Sequence, residues 1–332
     1  MAYSPFQAAD EFCRRILLDR SSRRESVRYF PKFQSSGDPS MRSKIGIPAV
    51  LSLCIVLLCG ALAGAQAPGP VPLSNPNGLA FDSSGNLFVA NAGSNQILEY
   101  SPSLQQIDFI SSGLSKPNRL VFDGEGNLYV SNAGNNSVTV YAPQNRHMPF
   151  RIITTGLDFP LGIAADLYGD VYVSNNRSNN IKVYDVRGSL IETLTGDKNG
   201  RSFSAPGTLA IYGRNIYVGT GPTFGLNAVT SYNVGEFLTN NPLEVQTYTD
   251  RVNTGPTGIA FDKQGNVYVA DYYSNTATKY DPQGTLLLVI KDQIAQCEGI
   301  AVDKSGNIYV ANSTLNTVTV YDAEGELTNT IR

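Results

Sequence analysis

The chain is poor in the residues on which many catalytic and metal sites depend. It has 332 residues but only one histidine, His147. Zinc sites usually draw on several histidine or cysteine ligands, so this scarcity excludes a histidine-cluster zinc site. It also limits a Ser-His-Asp triad to one position at most. Of the four cysteines only Cys297 follows residue 68, which excludes an intrachain disulfide in that part of the chain.

An excess of basic charge is also missing. The chain has 25 lysine and arginine residues against 28 aspartate and glutamate residues, for a formal net charge of -3. From Pro68 onward there are 16 basic and 23 acidic residues, which gives a charge of about -7. A protein that binds nucleic acid needs a basic surface, so we expect no nucleic acid partner.

The first 67 residues resemble a targeting segment. Met41-Arg42-Ser43-Lys44 precedes a long apolar run that ends in small residues, which is the order of a secretory signal. We expect a signal peptide over residues 41–67, cleavage after Ala65, and export to the periplasm or the extracellular space. The alternative is an uncleaved membrane anchor over residues 45–67, because about twenty apolar residues can span a bilayer. Residues 1–40 are arginine-rich and precede this complete signal, so we interpret them as a non-native extension.

From about residue 76 to the C-terminus the chain repeats itself. A tyrosine closes the third strand of each copy: Tyr100, Tyr141, Tyr184, Tyr232, Tyr280 and Tyr321. An asparagine stands five residues before each tyrosine: Asn95, Asn136, Asn179, Asn227, Asn275 and Asn316. Successive tyrosines are 41, 43, 48, 48 and 41 residues apart. The chain therefore contains six copies at a period typical of repeat architectures.

Each copy reads as a four-stranded antiparallel unit. In the second copy, Asp123 can cap a tight turn, Gly126 can supply a positive φ, and an apolar run of high β propensity follows. Such units are typical of β-propeller blades. A closed ring of blades is favoured over an open solenoid, because neither end of the repeat region carries a capping copy. We predict an all-β, six-bladed propeller over residues 68–332. The predicted blades are about 76–115, 116–159, 160–205, 206–254, 255–295 and 296–332.

The copies share three patterns that together resemble the NHL repeat: P-x-G-[IL]-A-x-D, GN-[IV]-YV-A-[DN] and N-x-[IV]-x-x-Y. The resemblance covers roughly residues 74–332, and only the fourth copy departs from it, with a residue and the aspartate missing in IYGRN. It implies a six-bladed NHL propeller and a role in partner recognition. Similar six-bladed propellers include lactonases and lyases with a divalent metal in the channel, which implies an enzymatic alternative.

Two repeated motifs have structural explanations. The Asp-x-x-Gly-Asn motif lacks the spaced third carboxylate and the distal glutamate of a calcium loop, so we interpret it as a tight turn. The asparagines five residues before the tyrosines are predicted to bond to backbone in the turn between the second and third strands. Neither motif is therefore expected to bind a ligand.

Positions where the copies differ are better candidates for a binding site. Loops that enter the first strands and leave the second strands should open on one side of the ring, which we call the funnel face. There Arg119 replaces a glycine of other copies, Glu298 replaces uncharged residues, and Tyr272 and Tyr273 are copy-specific. A salt bridge or a solvated charge on the rim is the structural alternative for the two charges. The candidate ligand-binding residues are Asn77, Asn118, Arg119, Asn132, Asn175, Asp271, Tyr272, Tyr273, Glu298 and Asn312.

We expect an exported, monomeric, non-catalytic binding or scaffold protein that holds a peptide, glycan or protein on the funnel face. It would meet a membrane only through an uncleaved N-terminal segment, and we assign it no catalytic residue and no cofactor. The alternative is an enzyme with Ca²⁺ or another divalent cation in its channel. The oxygen ligands would then come from Glu298, Asp271, Asn312 and Asn175.

Overall fold

The structure is a computed structural model that describes residues 69–196, 202–220, 228–233, 244–248 and 255–332. Pro68–Arg332 forms one compact unit. None of the described residues belongs to a helix that is long and apolar enough to cross a membrane. The predicted extension (1–40) and the signal or anchor (41–67) lie outside the described residues, so both stay predictions.

The described strands follow one another along the chain in six groups of four. The first three groups are β1 (Pro76–Phe81), β2 (Leu87–Asn91), β3 (Gln96–Tyr100), β4 (Gln106–Ile110), β5 (Pro117–Phe122), β6 (Leu128–Asn132), β7 (Ser137–Tyr141), β8 (Arg151–Ile153), β9 (Pro160–Ala165), β10 (Val171–Asn175), β11 (Asn180–Tyr184) and β12 (Leu190–Leu194). The last three are β13 (Pro206–Tyr212), β14 (Asn215–Thr220), β15 (Ala228–Asn233), β16 (Glu244–Tyr248), β17 (Pro256–Phe261), β18 (Val267–Asp271), β19 (Thr276–Tyr280), β20 (Leu286–Ile290), β21 (Cys297–Val302), β22 (Ile308–Asn312), β23 (Thr317–Tyr321) and β24 (Leu327–Ile331).

Each group of four strands forms one antiparallel sheet with the strands in sequence order. The first strands of the six sheets contact one another in a closed ring, in which β1 meets both β5 and β21. Every residue of β6 is buried, as expected for a sheet packed between two neighbours. The predicted all-β propeller with six four-stranded blades is therefore confirmed.

The hydrophobic core lies between neighbouring blades. Phe88 of blade 1 and Leu128 of blade 2, for example, belong to one buried cluster. The tyrosine that ends a third strand is buried there, and its hydroxyl reaches the preceding blade. Tyr141 Oη donates to the carbonyl oxygen of Ser112 at 2.6 Å, and Tyr184 makes the equivalent bond at 2.7 Å. The repeated tyrosine is thus explained by packing and by one inter-blade hydrogen bond.

The repeated asparagine joins one blade to the next. Asn95 Oδ1 accepts a hydrogen bond from the backbone N–H of Lys116 at 2.6 Å, and three further junctions repeat this bond. Asn316 Oδ1 accepts from Asn75 N at 2.7 Å, which links blade 6 to blade 1. The predicted side-chain bond to backbone is present, but its partner belongs to the following blade. Asn227 of the fourth copy lies outside the described residues.

Closure of the ring does not use a shared strand, since β1–β4 and β21–β24 each form a complete sheet. Leu73, which precedes β1, instead packs in a buried cluster with residues of blades 1 and 6 that include Ile331. Burial of a leucine side chain typically contributes about 1.5–3 kcal/mol. The segment before β1 therefore seals the last junction by packing.

The departure of the fourth copy from the repeat also has a local explanation. β13 and β14 pair as far as Tyr212 opposite Asn215, so only Gly213 and Arg214 remain in the turn. Gly213 has a φ of 62°, which a residue without Cβ adopts freely. A two-residue hairpin turn needs no aspartate cap. The shorter turn therefore explains both the missing residue and the missing aspartate.

Candidate functional site

A channel runs along the axis of the ring, and the C-terminal half of each first strand lines it. Its cavity volume is about 420 Å³. None of the described residues that line it is charged. They are residues 79–81, 120–122, 163–165, 209–211, 259–261 and 300–302. Charged groups that could select a ligand are therefore expected at the ends of the channel.

At the funnel end of the channel, the backbones of neighbouring first strands touch. A Cβ atom on Gly299 would lie 2.1 Å from the carbonyl oxygen of Asn77, and one on Gly78 would lie 2.6 Å from that of Asn118. The pairing register of the first strands shifts at this level, and such bulges redirect side chains. Glycine here allows the ring to close tightly.

Arg119 occupies this glycine position in blade 2, and its side chain crosses the channel mouth. Its Nε and Nη2 atoms donate to the carbonyl oxygen of Thr257 in blade 5 at 3.1 and 2.5 Å. Nη2 also donates to the carbonyl oxygen of Glu298 in blade 6 at 2.7 Å. Blades 2 and 5 are opposite each other in a ring of six, so one side chain links opposite walls.

Glu298 balances the charge of this arginine. Its Oε2 lies 3.4 Å from Arg119 Nη2, and the two side chains are only 22% and 11% exposed. Burial lowers the pKa of the Arg119 guanidinium, and the Glu298 carboxylate opposes that shift by favouring the charged form. The two copy-specific charges therefore meet in a salt bridge, which was the structural alternative to ligand contacts.

Hydrogen-bond acceptors surround the guanidinium. Arg119 Nη1 donates to the carbonyl oxygen and to Oδ1 of Asn118, at 3.3 and 3.0 Å. The neighbouring Asn77 is 8% exposed, and its buried Oδ1 has no hydrogen-bond partner among the described residues. We call Asn77, Asn118, Thr257 and Glu298 the acceptor ring. One of its acceptors is left unsatisfied, which is costly for a buried polar atom.

Two tyrosines lie on the funnel face beside the acceptor ring. The rings of Tyr272 and Tyr273 meet edge to face, with centroids 5.2 Å apart and planes at 80°. Tyr273 is 62% exposed and packs on Gly255, where a Cβ atom would lie 2.4 Å from its ring. Desolvation and then the charge of Glu298 raise the pKa of Tyr272.

The other four predicted site residues are buried and form hydrogen bonds within the protein. All are 0% exposed, and they are Asn132, Asn175, Asp271 and Asn312. Asn132 Oδ1 accepts from Ser115 N at 3.1 Å, and its Nδ2 donates to Thr139 Oγ1 at 3.1 Å. Asp271 Oδ2 accepts from Gly255 N at 2.8 Å. They satisfy backbone N–H groups of the loops that enter each blade, because buried donors require partners.

The opposite face of the ring carries the repeated aspartate turns. Asp123 Oδ1 accepts from the backbone N–H groups of Glu125 and Asn127, at 2.9 and 2.8 Å. Its Oδ2 accepts from Asn127 Nδ2 at 2.8 Å, and Gly126 has a φ of 82°. The interpretation of this motif as a turn is confirmed by these bonds. Within the described ranges, no three histidine, cysteine, aspartate or glutamate side chains are grouped as metal ligands would be.

The single histidine lies on an exposed loop between β7 and β8. Its Nε2 is 3.4 Å from Asp108 Oδ2 of blade 1, and its side chain is 64% exposed. The neighbouring Arg146 inserts between blades 1 and 2, with its guanidinium carbon 4.8 Å from the ring centre of Phe88 and 5.2 Å from that of Phe122. No sequence pattern identified Arg146, because its loop, residues 142–150, is longer than the equivalent loops of blades 1, 3, 5 and 6.

The structure brings together Asn77, Asn118, Arg119, Tyr272, Tyr273 and Glu298, which are six of the ten predicted residues. Sequence reasoning did not select Thr257, because it contributes a backbone carbonyl oxygen to the site. Every residue has such an oxygen, so no residue type marks it. The available signal was indirect, namely the large side chain of Arg119 at a position that favours glycine.

Comparisons with known proteins agree with this architecture. The family model described as "NHL repeat" matches residues 253–276, and the one described as "Beta-propeller repeat" matches residues 283–317. No curated protein matches the chain in sequence.

Several solved structures share the fold at low sequence identity. A streptogramin B lyase structure has a TM-score of 0.59 at 15% identity, covering 79% of this chain and 84% of that one. Selenomethionine-substituted virginiamycin B lyase from Staphylococcus aureus has a TM-score of 0.58 at 13% identity, covering 78% and 86%. Hydrazine synthase of Kuenenia stuttgartiensis has a TM-score of 0.58 at 16% identity, covering 79% and 100%. With its six four-stranded blades, the chain is a six-bladed β-propeller, and its residues 253–276 are similar to the NHL repeat.

Proposed function

We propose that the protein is an exported, non-catalytic binding propeller that holds a peptide, glycan or protein on its funnel face. The observation that carries this proposal is the mouth of the channel. The Arg119 side chain spans it from blade 2 to blades 5 and 6, so the apolar channel beneath is obstructed at this end. What remains open to a partner is the surface formed by Tyr272, Tyr273 and Glu298.

The composition of this surface supports binding. Exposed tyrosine combines a large apolar ring with a polar hydroxyl, and such residues are enriched where proteins meet partners. The partly exposed Glu298 and the buried Asn77 add directional acceptors beside the two rings. Apolar area with a few placed polar groups is the usual composition of a recognition site.

The same residues give little support to a metal-dependent enzyme. A guanidinium already lies beside Glu298, where a second cation would be repelled. Asp271, Asn175 and Asn312 accept hydrogen bonds from backbone N–H groups of the entering loops. The four candidate ligands therefore do not fit a divalent cation.

A lyase-like activity is the second candidate, because two of the structures with this fold are a streptogramin B lyase and a virginiamycin B lyase. One related structure is a catalytically inactive virginiamycin B lyase in which a histidine is replaced by alanine, with quinupristin. The single histidine of this chain is exposed on a loop and paired with Asp108. This placement favours the binding function over a histidine-dependent lyase.

The test is a screen of the purified protein against glycan and peptide arrays. We expect discrete ligands whose signal falls at least about tenfold in the Tyr273→Ala variant, since an aromatic anchor often carries 1–2 kcal/mol. Tyr168→Ala is the matched control, because Tyr168 is also an exposed turn residue but lies on the opposite face, with 85% exposure against 62% for Tyr273. Equal losses in the two variants, or no ligand at all, would contradict the proposal.

Calorimetry with Ca²⁺ and with Zn²⁺ separates this function from the metalloenzyme alternative. We expect no saturable heat with either ion. Tight binding that the Glu298→Ala variant abolishes would overturn the choice in favour of the metal-dependent enzyme.

Export is tested by the intact mass of the protein from its native source. A product that begins at Gln66 supports signal cleavage after Ala65. A peptide from residues 1–40 in that product would contradict both the start at Met41 and export through this signal.

A further inference from the structure

We propose that a cavity between blades 5 and 6 binds a small oxyanion, either a carboxylate or a phosphate group. The cavity lies on the face opposite the funnel and has a volume of about 310 Å³, which is in the range of small-molecule sites. We call it the lysine pocket, because Lys263, Lys279 and Lys304 line it. The proposal goes beyond the binding function of the funnel face and does not depend on it.

The most informative residue of the lysine pocket is Lys279. Its side chain is 18% exposed, and its Nζ lies 5.2 Å from the ring centre of Tyr268. Its ion pair with Asp262 Oδ2 is long, at 3.8 Å. The lysine is specific to blade 5, since the other copies have at this position Glu99, Val140, Val183, Ser231 and Val320.

The ammonium group of Lys279 is accessible and lacks hydrogen-bond acceptors. It forms no hydrogen bond with any described residue, yet it lines the pocket and is not fully enclosed by the protein. An ammonium group has three donors, and a charged group that is mostly removed from water needs partners for them. An oxyanion in the pocket would supply both the acceptors and the opposite charge.

The other charged groups of the pocket have free donors and occupied acceptors. Lys263 Nζ donates to the carbonyl oxygen of Lys304 at 2.8 Å and keeps two further donors, whereas Lys304 Nζ donates to Ser83 of blade 1. Asp262 and Asp303 also line the pocket, but each accepts four hydrogen bonds from its own blade, which is the full capacity of a carboxylate. The unused hydrogen-bonding capacity of these charged groups therefore belongs to ammonium donors, which suits a ligand with acceptors.

The junction between blades 1 and 2 shows how the equivalent space is filled elsewhere in the ring. There Glu99 stands at the position of Lys279, and Arg146 inserts from the loop of residues 142–150. Its Nη1 lies 3.5 Å from Asp82 Oδ2 and 3.9 Å from Glu99 Oε1. An acidic side chain at this third-strand position is thus matched by a cation between the blades.

In the junction between blades 5 and 6, the equivalent space is open. The corresponding loop of blade 6 is short, residues 322–326, and only Ala323 of this loop lines the pocket. Val302 stands at the position of Phe122, whose ring packs on Arg146 in the other junction. The charge at the third-strand position is also reversed, so the occupant that complements it is an anion.

The test measures dissociation constants of small probes by ligand-observed NMR with the full-length protein at neutral pH. The probes are benzoate, phenyl phosphate and the neutral benzamide, which share one ring and differ in charge. We expect at least one of the anions to bind about five- to tenfold more tightly than benzamide. The two anions distinguish a carboxylate ligand from a phosphate ligand.

Variants assign this preference to the lysine pocket. Lys279→Met removes the ammonium group, keeps most of the apolar stem, and should reduce the preference for the anion to about twofold or less. Lys182→Met is the matched control, because Lys182 is also a third-strand lysine but its Nζ already donates to Thr193 Oγ1, at 2.8 Å. It should leave every constant unchanged. Lys263→Gln changes an exposed side chain, so it is expected to fold even if Lys279→Met does not, and it should weaken anion binding about threefold.

Two results would overturn the proposal. One is equal affinity for the anions and for benzamide, and the other is an equal loss in the Lys279→Met and Lys182→Met variants. Tyr273→Ala should leave all the constants unchanged, because Tyr273 lies on the funnel face. If this variant weakens the anions instead, they bind on the funnel face and the lysine pocket is not their site. A funnel face that binds no array ligand would contradict the proposed function and leave the lysine pocket in place.

Discussion

On the face of the ring opposite the funnel, Asp82, Asp123 and Asp262 cap their turns with the same set of hydrogen bonds. On the funnel face, no two of the six first strands carry the same pair of residues at their second and third positions. The pairs are Asn-Gly, Asn-Arg, Leu-Gly, Gly-Thr, Thr-Gly and Glu-Gly. One repeat therefore produces one face that is uniform except in the fourth blade, which lacks the aspartate, and one variable face.

The comparison separates what holds the ring together from what can recognise a partner. An aspartate that caps its own turn is used within a blade, so every blade can carry the same residue. Arg119 acts between blades, and six arginines could not share one channel mouth. A binding site on the axis of a propeller is therefore built from departures from the repeat.

The largest effect is expected where the first strands touch. Gly299→Ala places a Cβ atom 2.1 Å from the backbone of Asn77, and backbone on both sides must shift to accommodate it. We expect a loss of about 3 kcal/mol in the free energy of unfolding, measured by denaturant titration. Gly124→Ala is the matched control on the opposite face, because nothing lies within 4 Å of that Cβ position. Similar losses in the two variants would contradict the close contact of first strands.

Arg119→Gly restores the residue that most other blades carry, yet it should be destabilising. The substitution leaves Glu298 without its cation and removes the donors to Thr257. We expect a loss of about 2–3 kcal/mol, whereas Arg177→Ala on an exposed turn should cost less than about 1 kcal/mol.

The double variant Arg119→Gly with Glu298→Thr tests the origin of that loss. It should be less destabilised than the sum of the single variants by about 1 kcal/mol, because the second change removes the unpaired charge. Strict additivity would mean that the salt bridge does not couple the two blades.

Acid should weaken the uniform face through its aspartate caps. Burial raises the pKa of Asp262, but hydrogen bonds from Asn266, Tyr268 and Gln264 outweigh it, so the folded pKa lies below the ordinary value. This stabilisation is present above the unfolded pKa of about 3.9 and is lost as the pH falls through the folded pKa. The test measures melting temperatures from pH 7 to pH 2.5. Below pH 4 the melting temperature of the Asp262→Asn variant should fall less steeply with pH than that of the unsubstituted protein. Glu324→Gln is the charge-matched control, and identical slopes for all three proteins would refute the contribution of the cap.

The smallest effect is expected at Cys297, which stands where the other five blades have proline and directly precedes Glu298. Its Sγ donates to the carbonyl oxygens of Asp271 and Thr276 at 3.0 and 3.3 Å. Burial raises the pKa of this thiol to about 12, and only a thiolate reacts readily with alkylating agents. Iodoacetamide at pH 8 should leave Cys297 unmodified in the folded protein and modify it in denaturant, as followed by peptide mass. Rapid labelling without denaturant would show that the funnel face opens at blade 6.

Much of the fold was predictable because its causes are local and occur six times. A turn aspartate, a glycine with positive φ and an apolar run act within a few residues, and their recurrence reveals the blades. The repeated asparagine was only partly predictable. Its hydrogen bond to backbone follows from residue type, but its partner in the next blade depends on how blades pack.

The candidate site was predictable only in part for a related reason. Both Arg119 and Asn132 were expected on the funnel, because each lies at the funnel end of a strand. The structure buries Asn132, since backbone N–H groups of the entering loop require an acceptor there. Arg119 instead crosses the channel mouth. In blade 2 it stands at the position where the first strands approach most closely and where most other blades have glycine.

The amino-acid sequence by itself determined the number of blades, the strands within each and the turns that join them, because short-range chemistry repeats along the chain. Only the tertiary structure decided what Arg119 does. Its partners Thr257 and Glu298 are 138 and 179 residues away in the chain. An arginine side chain reaches them only after the ring has closed, and no local pattern encodes the distance across a ring.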